Sequence, residues 1–193
     1  MDENFRFNIT QWRAVVEDFT SPPGADITVI LDPAFTSNNT SDKSALVASF
    51  KVERDDGVRE LNILDTESER WKGGALADSA IDFCVKWNPA ALKIERIPGV
   101  DILIDLILDK CRARSITAPH IEAFTPNCQK SAKNHRILKL QTLWCSSPPA
   151  IRIRYGHYIG PLFEEVEAFV PSRQNRGRQI NTLDALALAC GFR

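Results

Sequence analysis

Asp32, Glu95 and Asp184 are carboxylates set among apolar residues. Asp32 closes the run Ile27-Thr28-Val29-Ile30-Leu31, Glu95 follows Ala91-Leu92-Lys93-Ile94, and Asp184 opens Ala185-Leu186-Ala187-Leu188-Ala189. An ionised carboxylate taken out of water is costly unless a cation or a set of donors holds it. Three such groups therefore point to a shared partner. Carboxylate oxygens suit Mg²⁺ or Mn²⁺, which keep several waters and leave room for substrate phosphate. Two such ions about 3.5–4 Å apart can activate a water and stabilise the leaving oxygen of an in-line displacement. The chemistry implied is phosphodiester hydrolysis. Each acid also has an ordinary structural use: Asp32 as a turn cap before Pro33, Glu95 as a strand-edge partner of Arg96, Asp184 as a helix N-cap.

For the three to meet, the elements carrying them must converge. Asp26 to Asp32 reads as a strand from its β-branched residues, followed by the polar loop Thr36-Ser37-Asn38-Asn39-Thr40-Ser41 and a second strand from Ala45 to Val52. Asp55-Asp56-Gly57 is a hairpin turn, and Val58 to Leu64 returns as a third strand, antiparallel to the second. The period then changes. Leu76, Ala80, Phe83 and Trp87 mark a helix over 75–87, ended by Asn88-Pro89. A short strand over 91–97 carries Glu95, a helix fills 99–114, and a fifth strand covers 120–124. Helices are expected over 131–144, 161–169 and 183–190, with an extended piece at 151–155. This order predicts an α/β fold: a mixed sheet of five or more strands, the first three antiparallel, with helices on both faces. Asp32 and Glu95 then meet if their strands pair, and Asp184 must pack across them.

With 193 residues, 44% apolar and 25% charged, the chain can bury one substantial core. No apolar run approaches membrane-spanning length, and Met1-Asp2-Glu3-Asn4 lacks the start of a secretory signal. The five cysteines (84, 111, 128, 145, 190) have no CxxC pairing and read as reduced, mostly buried thiols. His120, His135 and His157 lack metal-ligand spacing, and Trp144 and Phe169 read as core residues. Residues 126–178 hold nine Lys or Arg against three Glu, a net +6 in a chain whose total is −1. A basic segment beside acidic elements suits a polyanion held against metal-loaded carboxylates, and equally a solvated face balanced in space.

Several stretches in register resemble the nuclease domain of phage terminase large subunits. Ile30-Leu31-Asp32-Pro33-Ala34-Phe35 and Ser41-Asp42-Lys43-Ser44-Ala45-Leu46-Val47 look like its opening strands. Glu95 after Leu92-Lys93-Ile94, Lys133-Asn134-His135-Arg136-Ile137-Leu138, and Asn181-Thr182-Leu183-Asp184-Ala185-Leu186-Ala187 are similar to its later motifs. The resemblance runs from about residue 26 to the C-terminus. It implies an RNase H-like fold, related to RuvC-type resolvases, with a two-metal endonuclease site that cuts concatemeric double-stranded DNA during genome packaging.

Carried across, Asp32, Glu95 and Asp184 would be catalytic metal ligands for two Mg²⁺ or Mn²⁺ ions, and Asp42 a secondary acid beside them. Asn181 departs from the acidic residue that many relatives have there; its carbonyl oxygen is a weaker ligand. Lys133 and Arg136, three apart on one helix face, and Arg173, Arg176 and Arg178 before the last helix are expected to contact DNA phosphates without sequence preference. The family also has an ATPase motor, yet no G-x-x-x-x-G-K-[ST] loop occurs here. Residues 1–25 are accordingly expected to be a lead-in from a missing ATPase domain and 26–193 the nuclease domain. The implied partners are double-stranded DNA, that ATPase domain in a full-length chain, a small terminase subunit and a portal, in the cytoplasm of a bacterial host with no membrane. A Holliday-junction resolvase, an RNase H-type nuclease or a non-catalytic nucleic-acid-binding domain on the same fold are the alternatives.

Overall fold

The structure, a computed structural model, describes residue 7 and residues 9–35, 42–71, 74–126, 132–170 and 180–191. In chain order the elements are α1 (Ile9–Ala14), β1 (Val16–Glu17), β2 (Thr28–Asp32), β3 (Ser44–Glu53), β4 (Arg59–Glu69), α2 (Ala75–Trp87), β5 (Ala91–Glu95), α3 (Val100–Ala113), β6 (Ile121–Phe124), α4 (Ala132–Cys145), β7 (Ile151–Arg154), α5 (Ile159–Ala168) and α6 (Asn181–Ala189). The strands form one seven-stranded sheet ordered β1-β7-β4-β3-β2-β5-β6. β2, β3 and β4 are an antiparallel meander. β5 joins β2 in parallel, β6 joins β5 in parallel, and β7 joins β4 in parallel with β1 beyond it.

Strand alternation sorts the core into two layers. Val29 and Leu31 of β2 and Leu92 and Ile94 of β5 pack with α2 and α3, which contribute Leu76, Ile81, Phe83, Leu103 and Ile107. Ile30 faces the opposite way, into a second layer with α1, α4, α5 and α6. Helices thus cover both faces, as the sequence pattern predicts. α2 matches its expected bounds, because Asn88 adopts a left-handed cap (φ 43) and Pro89 follows. α3 begins after Gly99 (φ 92), where a side chain would also meet the Phe35 ring at 3.5 Å.

Two features exceed the sequence reading. β4 runs on from Leu64 through the polar Asp65–Glu69, still laddered to β3. The ladder shifts register between Ala48 and Ser49, so Leu64 is bulged out and Asp65 turns to the α2 side. There its carboxylate accepts hydrogen bonds from Lys86 Nζ at 2.6 Å and Trp87 Nε1 at 3.1 Å. The described part of the first 25 residues also packs into the fold. β1 pairs with β7, and Trp12 stacks on Trp144 with ring centroids 3.4 Å apart and planes 15° apart. Trp144 and Phe169 are core residues, as expected.

Trp12 is fully buried, so Trp12→Ala should lower the unfolding free energy by about 3–5 kcal/mol. Urea denaturation of the two proteins checks this; a loss under about 1 kcal/mol would mean that α1 does not dock on α4 in solution.

Candidate metal centre

The same alternation positions the acids. Val29, Leu31, Leu92 and Ile94 face α2 and α3, so Asp32 and Glu95, one residue on, face α4 and α6. Ile30 pairs with Lys93 and Leu31 with Ile94 in the parallel ladder. One further step sets Asp32 beside Glu95. α6 supplies the third acid from above. All nine of its residues are buried, as a helix covered on every side requires, and it packs on β2, β3 and β4 and against α4 and α5. Asp184 lies in its first turn, and one carboxylate oxygen from each of Asp32, Glu95 and Asp184 falls within 4.8 Å of the other two.

Among the described residues, the ordinary structural uses of the three acids do not appear. The N-cap of α6 is Ile180, so Asp184 is a turn inside the helix. The loop after Asp32 is pinned by Ser44 Oγ, which accepts from the Ala34 N–H at 2.9 Å. Arg96 turns away to Asp101 at 3.3 Å, leaving Glu95 in the cluster.

Electrostatics marks the trio as short of positive charge at one end and supplied at the other. Burial pushes the Asp32 carboxyl well above the ordinary carboxylate range; Lys133 pulls it down, while the charges of Asp184 and Glu95 and a hydrogen bond with Glu95 raise it further. Glu95 is also raised, by burial first and then by Asp184, against the opposing charge of Arg136. Both shifts mark the pair as lacking a compensating positive charge of its own. Asp184 is already paired: Arg136 donates to it through Nε at 3.2 Å and through Nη2 at 2.8 and 2.9 Å. Lys133 Nζ adds a contact at 3.2 Å. Burial alone would lower the Lys133 ammonium, but Asp184 and Asp32 outweigh it and hold it above its usual value.

The donor set fits a hard divalent cation. Hard cations take carboxylate oxygens, and a divalent ion would offset the mutual repulsion of the three carboxylates gathered here.

The other sequence candidates fall in different places. Asp42 is exposed just before β3, outside the cluster, and its charge helps to hold the Lys133 ammonium. Asn181 is buried; its Oδ1 accepts from Lys133 Nζ at 3.3 Å and its Nδ2 has no partner among the described residues. Lys133 and Arg136 point at Asp184, and Arg136 is buried. Arg173, Arg176 and Arg178 lie outside the described residues.

No protein-family model and no curated protein sequence matches this chain. Solved structures do. The nuclease domain of the large terminase subunit gp2 of bacterial virus Sf6 superposes with a TM-score of 0.52 at 12% identity, covering 86% of this chain and 87% of that one. A point-mutant form of that domain with manganese gives a TM-score of 0.53 at 12% identity over 86% and 88%. The chain has an RNase H-like fold. A Thermus thermophilus RuvC structure is a looser match, with a TM-score of 0.43 at 13% identity over 84% and 90%.

Glu165 escaped the sequence reading. It caps this fold's last helix from α5: its Oε1 accepts from Thr182 Oγ1 at 2.7 Å and its Oε2 from the Leu183 N–H at 3.0 Å. Those are groups that a helix N-terminus leaves open. The signal was present, since Leu162, Val166 and Phe169 mark the buried stripe of a helix and Glu165 sits within it. Burial raises its carboxyl from 4.5 to about 7, with the Thr182 and Leu183 donors opposing.

Because the folded-state value is raised, folding takes up a proton at Glu165. The associated stability is complete below the unfolded value and is lost as pH rises through about 7. A shift of this size corresponds to roughly 3 kcal/mol. Glu165→Gln should therefore flatten part of the fall in unfolding free energy between about pH 5 and 8, and exceed the unsubstituted protein in stability at about pH 8. Denaturant titrations across that range test it; an unchanged slope would contradict the buried, proton-holding carboxyl.

Proposed function

We propose that the chain is a divalent-metal-dependent DNA endonuclease domain of the terminase type, cutting double-stranded DNA by hydrolysis of a phosphodiester. The observation that carries this reading is the convergence of Asp32, Glu95 and Asp184, whose oxygens lie within 4.8 Å of one another at the ends of β2 and β5 and on α6. The shared fold with the Sf6 gp2 nuclease domain supports it, as does that domain's structure with manganese.

In this reading Asp32 and Glu95 hold the ion and Asp184 closes the centre. Mg²⁺ or Mn²⁺ held there supplies water activation and neutralises charge on the phosphoryl oxygens. Lys133, about a third exposed, stands at the edge of the acids where its ammonium can meet a phosphate. Arg173, Arg176 and Arg178 keep their proposed role as contacts to the flanking backbone, without sequence preference and sensitive to salt. A packaging ATPase domain, a small terminase subunit and a portal are the partners that belong to this reading, in the cytoplasm of an infected bacterium.

Asp32→Asn should reduce cleavage of linear duplex DNA in Mn²⁺ by more than about 100-fold. Its stability in metal-free buffer at neutral pH should equal or exceed that of the parent, because Asn mimics the neutral carboxyl that burial favours. Cleavage at the parental rate would rule out the assignment. Four-way junctions and RNA:DNA hybrids run alongside separate this reading from a resolvase or hybrid nuclease on the same fold: preferential cleavage of either would replace duplex DNA as the substrate.

A further inference from the structure

The two ends of the acidic cluster are not equivalent. Both oxygens of Asp184 are taken, three times by the Arg136 guanidinium and once by Lys133 Nζ. Among the described residues Asp32 makes no salt bridge, and the only one to Glu95 is a distant 3.9 Å contact from Arg136. The Arg136–Asp184 pair is also the more deeply buried, with side chains 7% and 2% exposed. A guanidinium does not give up its proton near neutral pH, so it leaves Asp184 only by moving as a whole. Its helix gives it little room, because Ile137, Leu140 and Trp144 of α4 are locked in the core. The Asn181 side-chain oxygen is engaged by Lys133.

Charge balance points the same way. Among the described residues, three carboxylates with one ammonium and one guanidinium leave a formal −1. One divalent ion makes it +1, which a phosphodiester neutralises. A second would make it +3 in a largely buried site with no further acid among the clustered residues, and excess charge of one sign out of water is strongly unfavourable.

Building on the metal-dependent reading above, we propose that Arg136 supplies the second positive charge of this centre. The free protein then holds a single divalent ion, between Asp32 and Glu95, and the guanidinium occupies on Asp184 the position a second ion would take. The pair of ions expected from the family resemblance is reduced to one ion and one arginine.

Counting Mn²⁺ bound to the intact, metal-free chain without DNA tests this, by calorimetric titration together with paramagnetic resonance of free and bound Mn²⁺. The unsubstituted protein should bind one Mn²⁺. Asp184→Asn, which removes a negative charge beside the ion, should still bind one though more weakly, and Asp32→Asn, which removes a ligand, should lose more affinity than Asp184→Asn. Arg136→Gln should bind two, with the broadened spectrum of a coupled pair. Two ions in the unsubstituted protein, a greater loss of affinity in Asp184→Asn than in Asp32→Asn, or one ion in a folded Arg136→Gln would each overturn the proposal and leave the nuclease reading standing. No Mn²⁺ bound by the unsubstituted protein would overturn both. Should Arg136→Gln fail to fold, the first two counts decide.

Discussion

The two-residue alternation of β2 and β5, locked in parallel register, governs where everything else must go. Val29 and Leu31 with Leu92 and Ile94 commit one face of both strands to α2 and α3. The residue that ends each run is then obliged to face α4 and α6. A slip of one residue in either strand would send an acid into the apolar layer under α2 and α3 and an aliphatic side chain into the cluster. Register is thus fixed by some of the best-buried side chains in the protein, and the placement of the carboxylates is a by-product of hydrophobic packing.

Packing also creates the electrostatic difficulty that the centre must resolve. α6 buries an acid against two others that are themselves partly buried. The protein answers with cations from a single helix, α4, and with a carboxyl from α5 that secures the first turn of α6 through Thr182 and Leu183. These supports are unevenly distributed. Asp184 is held directly from both α4 positions, while Asp32 and Glu95 feel the same two cations only from farther away. The open end of the cluster is the end at the sheet, where the strands give way to loops.

The sequence carries much of this, for identifiable reasons. Asp32 and Glu95 are legible because each ends an apolar run, and α2 because its stripe ends at Asn88-Pro89. The meander is legible from Asp55-Asp56-Gly57 and the flanking alternation. What escapes is non-local. Val16-Glu17 is too short to read as a strand and becomes one only by pairing with Ile153 and Arg154. Asp65 to Glu69 looks like loop because its polar residues gain their place from the ladder to β3 and from Lys86 and Trp87. Arg136 reads as a DNA-phosphate contact because its partner lies 48 positions away. Glu165 was one more acid in a charge count until its position among Leu162, Val166 and Phe169 placed it under α6.

α6 docks across strands laid down far earlier in the chain, and its Asp184 lies well beyond Asp32 and Glu95 in the sequence. On a ribosome, the two strand-borne acids emerge and pair while the third is still to be made. The intervening chain can fold its sheet around β2, β3 and β5 without completing the cluster. The cluster therefore cannot form before α6 has been made. A nascent or truncated chain without α6 carries two of the three acids and lacks the third, so the order of residues along the chain sets the order in which the cluster is built.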